Sequence, residues 1–298
     1  MKKKIVFIIN PISGIHHSEN IETMIQTYMD HDKFDVECIY TQYKGHGAEI
    51  AKAAVERKVE VVVAVGGDGT INEVASQLVN TPTIFAIIPH GSGNGLAYHL
   101  NLPIRNIKKI IRYINDLYVE AIDTCLVNGK PFFSIAGIGF DAKVAFDFNQ
   151  DGHRGFVNYV KHIVANYLDY QSGNYVLTSN MQQVKEYAFF ITFANSSQWG
   201  YNVKIAPMAS MQDGKLDICI CKRPHFMKMM AVDIPMLLSN QFNHSSLIKY
   251  IQTERMTIES EKGSDMYLHI DGDAVGLVKR VELEVLPSSL KIVLPSHS

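Results

Sequence analysis

Residues 66–70 read Gly-Gly-Asp-Gly-Thr, directly after the apolar run VEVVVAV at 59–65 and directly before the helix-like INEVASQLV at 71–79. A glycine-rich turn leading into a helix presents unhindered backbone N–H groups and the positive end of the helix, the combination that binds phosphate. Gly66, Gly67 and Gly69 therefore form a candidate phosphate cradle, to which Thr70 adds a hydroxyl donor. Asp68 is the odd member, because a carboxylate repels phosphate unless it holds Mg²⁺ or takes a proton. Together these residue types point to phosphoryl transfer. The structural alternative is a plain helix cap by Asp68 or Thr70.

Two more turns have the same texture. The apolar residues 5–9 run into Asn10-Pro11-Ile12-Ser13-Gly14, and TIFAIIP at 83–89 runs into PHGSGNGLA at 89–97, which carries Gly91, Ser92, Gly93 and Asn94. To position three such turns, the chain needs strands of one sheet. The first 122 residues supply them as alternating segments: strands at 5–9, 34–41, 59–65 and 83–89, helices at 21–29, 47–57, 71–79 and 107–115. That alternation predicts βαβ units and a parallel sheet. Ligands of such sheets bind beyond the carboxyl ends of the strands, so the three turns share one edge and predict a nucleotide site. No GxxxxGK[ST] pattern occurs, which excludes a P-loop.

Beyond residue 123 the pattern changes to FFSIAGIG, YAFFITFA, LDICIC, RMTIES, MYLHIDGD, RVELEVL and LKIVL, with helices expected only near 156–170 and 226–238. This half reads as mainly antiparallel β, with a boundary near Ala121 to Asp123.

The 298 residues suit about two domains. With 47% hydrophobic and 19% charged residues, the composition is globular. Lys plus Arg at 28 against Asp plus Glu at 30 leaves no overall basic field for nucleic acid or an anionic membrane. Cys38, Cys125, Cys219 and Cys221 form no CxxC pair and no metal spacing, as expected for a reducing cytoplasm. The apolar run in MKKKIVFIINP is too short for a signal-peptide core, and no stretch reaches the roughly 18 to 20 apolar residues of a spanning helix.

The ordered motifs NPxSG at 10–14, Thr41 with GAEIA at 47–51, GGDGTINEV at 66–74 and PxGSGNGLA at 89–97 resemble the diacylglycerol kinase catalytic-domain family, which includes sphingosine and ceramide kinases and bacterial stand-alone lipid kinases. GIGFDAKV at 137–144, RGFVNY at 154–159, ANSSQWG at 194–200, IAP at 205–207, DGKLD at 213–217 and HIDGD at 269–273 agree with it. The resemblance implies an ATP-dependent, Mg²⁺-assisted lipid kinase. Its fold would be an α/β nucleotide-binding domain of the NAD kinase and diacylglycerol kinase type at 1–122, and a mainly antiparallel β-sandwich that binds lipid at 123–281. The tail, about 282–298, would return to the first domain.

By position, the resemblance puts Asn10, Ser13, Thr41, Gly66, Gly67, Gly69, Thr70, Gly91, Ser92, Gly93 and Asn94 around the nucleotide. Asp68 matches the family's essential carboxylate, and Asp273 stands where the family's DGE motif has the Glu proposed as the base for the lipid hydroxyl. The replacement shortens the reach by one methylene. Asp213 matches an Asp that binds a structural Mg²⁺, with an ordinary Asp-Gly turn as the alternative. Asp141 is a candidate for the lipid head group, or a salt-bridged loop residue. GSGNGLA is closer to the sphingoid-kinase version of the third loop, and Tyr98 and His99 stand where many diacylglycerol kinases have Arg. The implied partner is a lipid at a membrane surface, met by transient association from the cytoplasm; a homodimer is compatible with the sequence.

Other patterns read as structural. DFNQDG at 147–152 copies half of an EF-hand loop, but position 12 falls on Asn158, so a polar surface loop is expected. GIGFDA at 137–142 reads as a tight strand turn, His16-His17 as solvated loop, and the Met-rich FMKMMAVDIPMLL at 226–238 as a core-facing helix or a lipid entrance. Two rival functions stand beside the lipid kinase. One is an NAD kinase, which shares the GGDG loop; the other is a lipid- or nucleotide-binding regulator without turnover.

Overall fold

The computed structural model of the chain describes residues 2–13, 21–91, 93–151, 156–200, 203–226 and 247–295. The chain divides into two compact units, residues 1–123 with 287–298, and residues 124–286.

The first unit follows strand–helix alternation: β1 (Lys3–Ile9), α1 (Ile21–Tyr28), β2 (Phe34–Tyr40), α2 (His46–Glu56), β3 (Val61–Gly66), α3 (Asp68–Ser76), β4 (Ile84–Pro89), α4 (Gly95–His99) and α5 (Ile107–Asp116). The strands pair in parallel in the order β2-β1-β3-β4. Helices cover both faces of such a sheet, so its central strands read as unbroken apolar runs; every residue of β3 is buried. Ile25 of α1 and Ile110, Ile111 and Ile114 of α5 close over Phe7 and Val63. Residues 287–298 belong to this unit: Ile292 pairs in parallel with Phe85, and Ser288 N–H donates to Asp123 Oδ1 at 2.7 Å. The chain steps outward from β1 to β2 and then back past β1 to β3. The crossover direction therefore reverses between β1 and β3, the position where doubly wound sheets open a crevice.

The second unit contains the end of β5 (Val119–Val127), then β6 (Lys130–Phe132), β7 (Ile135–Gly139), α6 (Phe140–Asp151), α7 (Phe156–Tyr167), β8 (Gly173–Ser179), β9 (Gln182–Ala188), β10 (Phe190–Ala194), β11 (Gln198–Gly200), β12 (Val203–Lys204) and β13 (Leu216–Cys221). It continues with β14 (Ile248–Thr253), β15 (Arg255–Ser260), β16 (Met266–Ile270), β17 (Asp273–Val278) and the first half of β18 (Arg280–Val293). One layer runs β14-β13-β10-β7-β16-β17 and the other β18-β15-β8-β9, with antiparallel pairing throughout. Ile138, Ile191, Phe193 and Leu268 of the first layer meet Leu177, Ile258 and Leu283 of the second in one core. One unit is an α/β domain and the other a β-sandwich, the fold expected from the sequence.

Two local expectations need correction. Residues 147–151 are not a surface loop but the end of α6, a geometry incompatible with the wrapped loop of an EF-hand. Gly139, at φ +101°, ends β7 and lets the helix start at once; Val144 and Ala145 are buried, while Lys143 and Asp147 pair along the helix. The second correction is the start of α3, which begins at Asp68 rather than Ile71, because its first turn holds no apolar residue for a hydrophobic pattern to register. His16-His17 and the Met-rich segment after Phe226 lie outside the described residues.

Candidate active site

In the first unit, the polar turns after β1, β3 and β4 lie at the carboxyl ends of adjacent strands, and side chains lace them together. Asn10 Nδ2 donates to Thr70 Oγ1 at 3.0 Å, while Asn10 Oδ1 accepts the Ile12 N–H at 3.1 Å. Ser13 Oγ donates to the Asn10 carbonyl at 2.8 Å. Across the third turn, Asn94 Oδ1 accepts the Gly91 N–H at 3.0 Å and Asn94 Nδ2 returns a bond to the Gly91 carbonyl at 2.6 Å. Thr41 follows β2 at the same edge, its N–H donating to the Ile9 carbonyl. Ser92 lies outside the described residues.

Asp68 makes the central link. Its Oδ2 accepts the Asn94 N–H and its Oδ1 the Gly95 N–H, both at 2.8 Å. The helix cap position belongs to Gly67, which makes no side-chain cap bond. The carboxylate therefore grips the third turn rather than capping its own helix.

At three of these glycines a side chain would not fit. A Cβ on Gly91 would lie 2.4 Å from Gly67 Cα, one on Gly93 2.7 Å from Asp68 Oδ2, and one on Gly66 2.7 Å from Thr70. The N–H groups of a helix's first turn have no acceptor within the helix, and in α3 that turn is Asp68-Gly69-Thr70. Backbone donors, a hydroxyl and a surface without side chains fit a polyphosphate. They also fit a metal held chiefly by phosphate and water, with Asp68 as a protein carboxylate at hand, the usual manner of Mg²⁺.

One contributor was not singled out from the sequence. Glu73 Oε1 accepts the Gly45 N–H at 2.8 Å, and a Cβ on Gly47 would come within 2.9 Å of Glu73 Oε2. Glu73 thus ties α3 to the start of α2, where a negative charge is favourable. It stands inside GGDGTINEV, yet nothing in the pattern says which N–H it meets.

The second unit carries the other candidates. Asp141 is 5% exposed; its Oδ1 accepts the Ala142 N–H at 2.8 Å, its Oδ2 the Thr192 hydroxyl at 3.0 Å, and His269 Nε2 lies 3.4 Å away. His269 is as deeply buried, and its Nδ1 has no hydrogen-bond partner. Burial pushes the nearby Tyr170 and Tyr175 hydroxyls up, so both stay neutral. Asp273 begins β17 at an exposed position. Asp213 Oδ1 accepts the Lys215 N–H at 3.0 Å, the geometry of an Asp-Gly turn with Gly214 at φ +69°. Among the described residues no group of three or more His, Cys, Asp and Glu could hold a metal ion.

Two family descriptions match the chain, the diacylglycerol kinase catalytic domain over residues 4–127 and the YegS C-terminal NAD kinase beta sandwich-like domain over residues 134–294. The chain belongs to the diacylglycerol kinase family. As a family member it is an enzyme, a lipid kinase. A diacylglycerol kinase of Bacillus subtilis (strain 168) is 27% identical over 99% of this chain and 97% of its own length. One of Mycobacterium tuberculosis (strain ATCC 25618 / H37Rv) is 25% identical over 99% and 96%. A solved structure described as a diacylglycerol kinase from Bacillus anthracis str. Sterne shares the fold, with a TM-score of 0.73 at 20% identity over 99% of this chain and 97% of that one. Among the described residues no helix is long and apolar enough to cross a membrane.

Proposed function

We propose that the chain transfers the γ-phosphoryl group of ATP, with Mg²⁺, to the hydroxyl of a diacylglycerol or sphingoid-type lipid. The observation that carries this is the pair of glycine turns, Gly66–Thr70 and Gly91–Asn94, held against each other by Asp68 at the carboxyl edge of the parallel sheet. ATP supplies the phosphoryl group, and Mg²⁺ offsets the charge on its oxygens. Phosphoryl transfer needs little covalent chemistry from a protein and much positioning and charge stabilisation.

In this assignment Gly66, Gly67, Gly69, Thr70, Gly91, Ser92, Gly93 and Asn94 bind the phosphates, while Asn10, Ser13 and Thr41 meet the rest of the nucleotide. Asp68 holds the cradle's shape and faces the metal. Asp273 takes the proton of the acceptor hydroxyl. Asp141 acts on the acceptor through Thr192 and His269, the groups it holds, rather than by direct contact. Asp213 serves as a turn residue through which a structural Mg²⁺ would need water and other ligands. The acceptor is reached by transient contact of a cytoplasmic protein with a membrane surface.

The test is incubation of the purified protein with γ-labelled ATP and Mg²⁺ against micellar diacylglycerol, sphingosine, ceramide and monoacylglycerol, with NAD as a control. Label in one lipid is the expected result and names the acceptor. Label in NAD alone would replace the lipid acceptor by a dinucleotide. ATP binding with no labelled product would make the chain a binding protein without turnover.

A further inference from the structure

Asp273 inherits its position from a two-residue turn. Asp271 and Gly272 join β16 to β17, with Ile270 and Asp273 as the flanking pair. Both turn residues have positive φ, +48° and +86°, the type I′ conformation that matches the twist of the strands. Asp-Gly is among the dipeptides that favour this turn, so local preference alone would form it.

The turn is fastened as well as formed. Asp271 Oδ1 accepts the N–H groups of Ser134 at 2.8 Å and Ile135 at 3.1 Å, and Oδ2 accepts that of Phe133 at 3.0 Å. The Asp271 N–H donates to the Ile135 carbonyl at 2.8 Å. Three consecutive N–H groups converging on one carboxylate form an anion-holding nest, and bonds to an ionised acceptor are stronger than neutral ones. From the other side, Asn149 on α6 donates to the Gly272 carbonyl at 3.4 Å. The tip of the hairpin is thus tied to the chain entering β7 and to α6.

We infer that Asp271 is a positioning residue for the kinase reaction: its grip on residues 133–135 sets where the Asp273 carboxylate meets the acceptor hydroxyl. This rests on Asp273 being the base, as proposed above. The physical reason lies in the side chain at 273. A glutamate has one more rotatable bond and can search for the hydroxyl, whereas an aspartate is carried where its backbone goes. With Asp at 273, the precision must come from the turn. A misplacement of about 1 Å can cost on the order of a hundredfold in rate.

Asp271→Asn separates turn formation from the clamp. Asparagine favours the type I′ turn at least as well, but offers one carbonyl oxygen and an NH₂ where three N–H groups converge. The assay is γ-labelled ATP with the first lipid to take label among diacylglycerol, sphingosine, ceramide and monoacylglycerol, read as kcat and KM, with a thermal melt of each variant. Expected is a kcat lowered by about tenfold to a hundredfold, with KM for ATP unchanged. Asp273→Glu is the second background, in which D271N should cost several-fold less, because the longer side chain recovers reach. Equal losses in both backgrounds, or D271N at the wild-type kcat, would overturn the inference. Asp273→Asn separates the two claims: if it keeps full activity, the base assignment fails; if it is inactive while D271N is unaffected, only the positioning role fails. Should D271N melt below the assay temperature, Asp271→Glu keeps the charge, displaces the carboxylate, and carries the same comparison.

Discussion

The side-chain amide of Asn10 donates to the Thr70 hydroxyl at 3.0 Å, joining residues 60 apart in sequence across the point where the sheet reverses its crossover direction. Asn10→Ala removes this bond and the acceptor for the Ile12 N–H. A lost hydrogen bond of this kind is worth about 0.5 to 1.5 kcal/mol, so the protein should fold. The turn after β1 would no longer be held to α3. Expected is a KM for ATP raised roughly tenfold, the equivalent of about 1.4 kcal/mol, with a smaller effect on kcat. Steady-state kinetics at saturating lipid checks it, and an unchanged KM would remove Asn10 from the nucleotide site.

The approach of Gly91 to Gly67 leaves no room for a methyl group, since a Cβ on Gly91 would stand 2.4 Å from Gly67 Cα. Overpacking of this kind typically costs about 1 to 3 kcal/mol. Gly91→Ala should lower the melting temperature and weaken ATP binding more than Gly69→Ala, because nothing lies within 4 Å of a Cβ at Gly69. Calorimetric titration of both variants with a non-hydrolysable ATP analogue makes the comparison.

One substitution touches both roles proposed for Asp68, its grip on the third turn and its place at the metal. Asp68→Asn retains a single acceptor oxygen and turns an NH₂ toward the backbone donors of Asn94 and Gly95, bonded at 2.8 Å in the native protein. Loss of an organised electrostatic contact in an active site typically costs about 10² to 10³ in kcat. The expected outcome is a fall of that order, together with faster hydrogen exchange at residues 94 and 95. A variant that is folded, fully active and equally protected would contradict both roles.

Burial pushes the Asp217 carboxyl above its ordinary 3.8, opposed by its hydrogen bond to Gln252 and assisted by the charge of Asp213. The folded protein therefore holds this proton more tightly than the unfolded chain. Asp217's contribution to stability is full below pH 3.8 and is lost as pH rises through the raised value. Asp217→Asn, which keeps a partner for Gln252, should gain stability relative to the parent at pH 7 and gain less at pH 4. Urea unfolding at the two pH values measures the difference.

The thiols should be quiet in the native protein. Cys125, Cys219 and Cys221 are buried, and burial, with Glu22 and Glu37 nearby, pushes Cys38 up to about 11. Because the thiolate is the reactive form, modification by iodoacetamide at pH 8 should be slow, and full labelling of all four should require denaturant.

Much of this protein follows from residue type and spacing alone. The near-continuous valines of β3 announce a strand buried on both faces, and the glycines at 67 and 91 announce backbone meeting backbone. Repeating apolar positions locate α1, α2 and α5, because each buries one stripe against the sheet. Where periodicity is weak the sequence is silent: α6 begins directly after the glycine that ends β7 and finishes in DFNQD, residues that turns share with helices. The partners of the acids were decided only by tertiary structure. Asp68, Glu73 and Asp271 look alike as carboxylates in glycine-containing motifs, yet one holds the turn before α4, one the start of α2, and one the entry to β7. A carboxylate's capacity to accept hydrogen bonds is a property of the residue. Which N–H groups reach it depends on strands and turns brought together from 27, 28 and 137 residues away, and no local pattern records that distance.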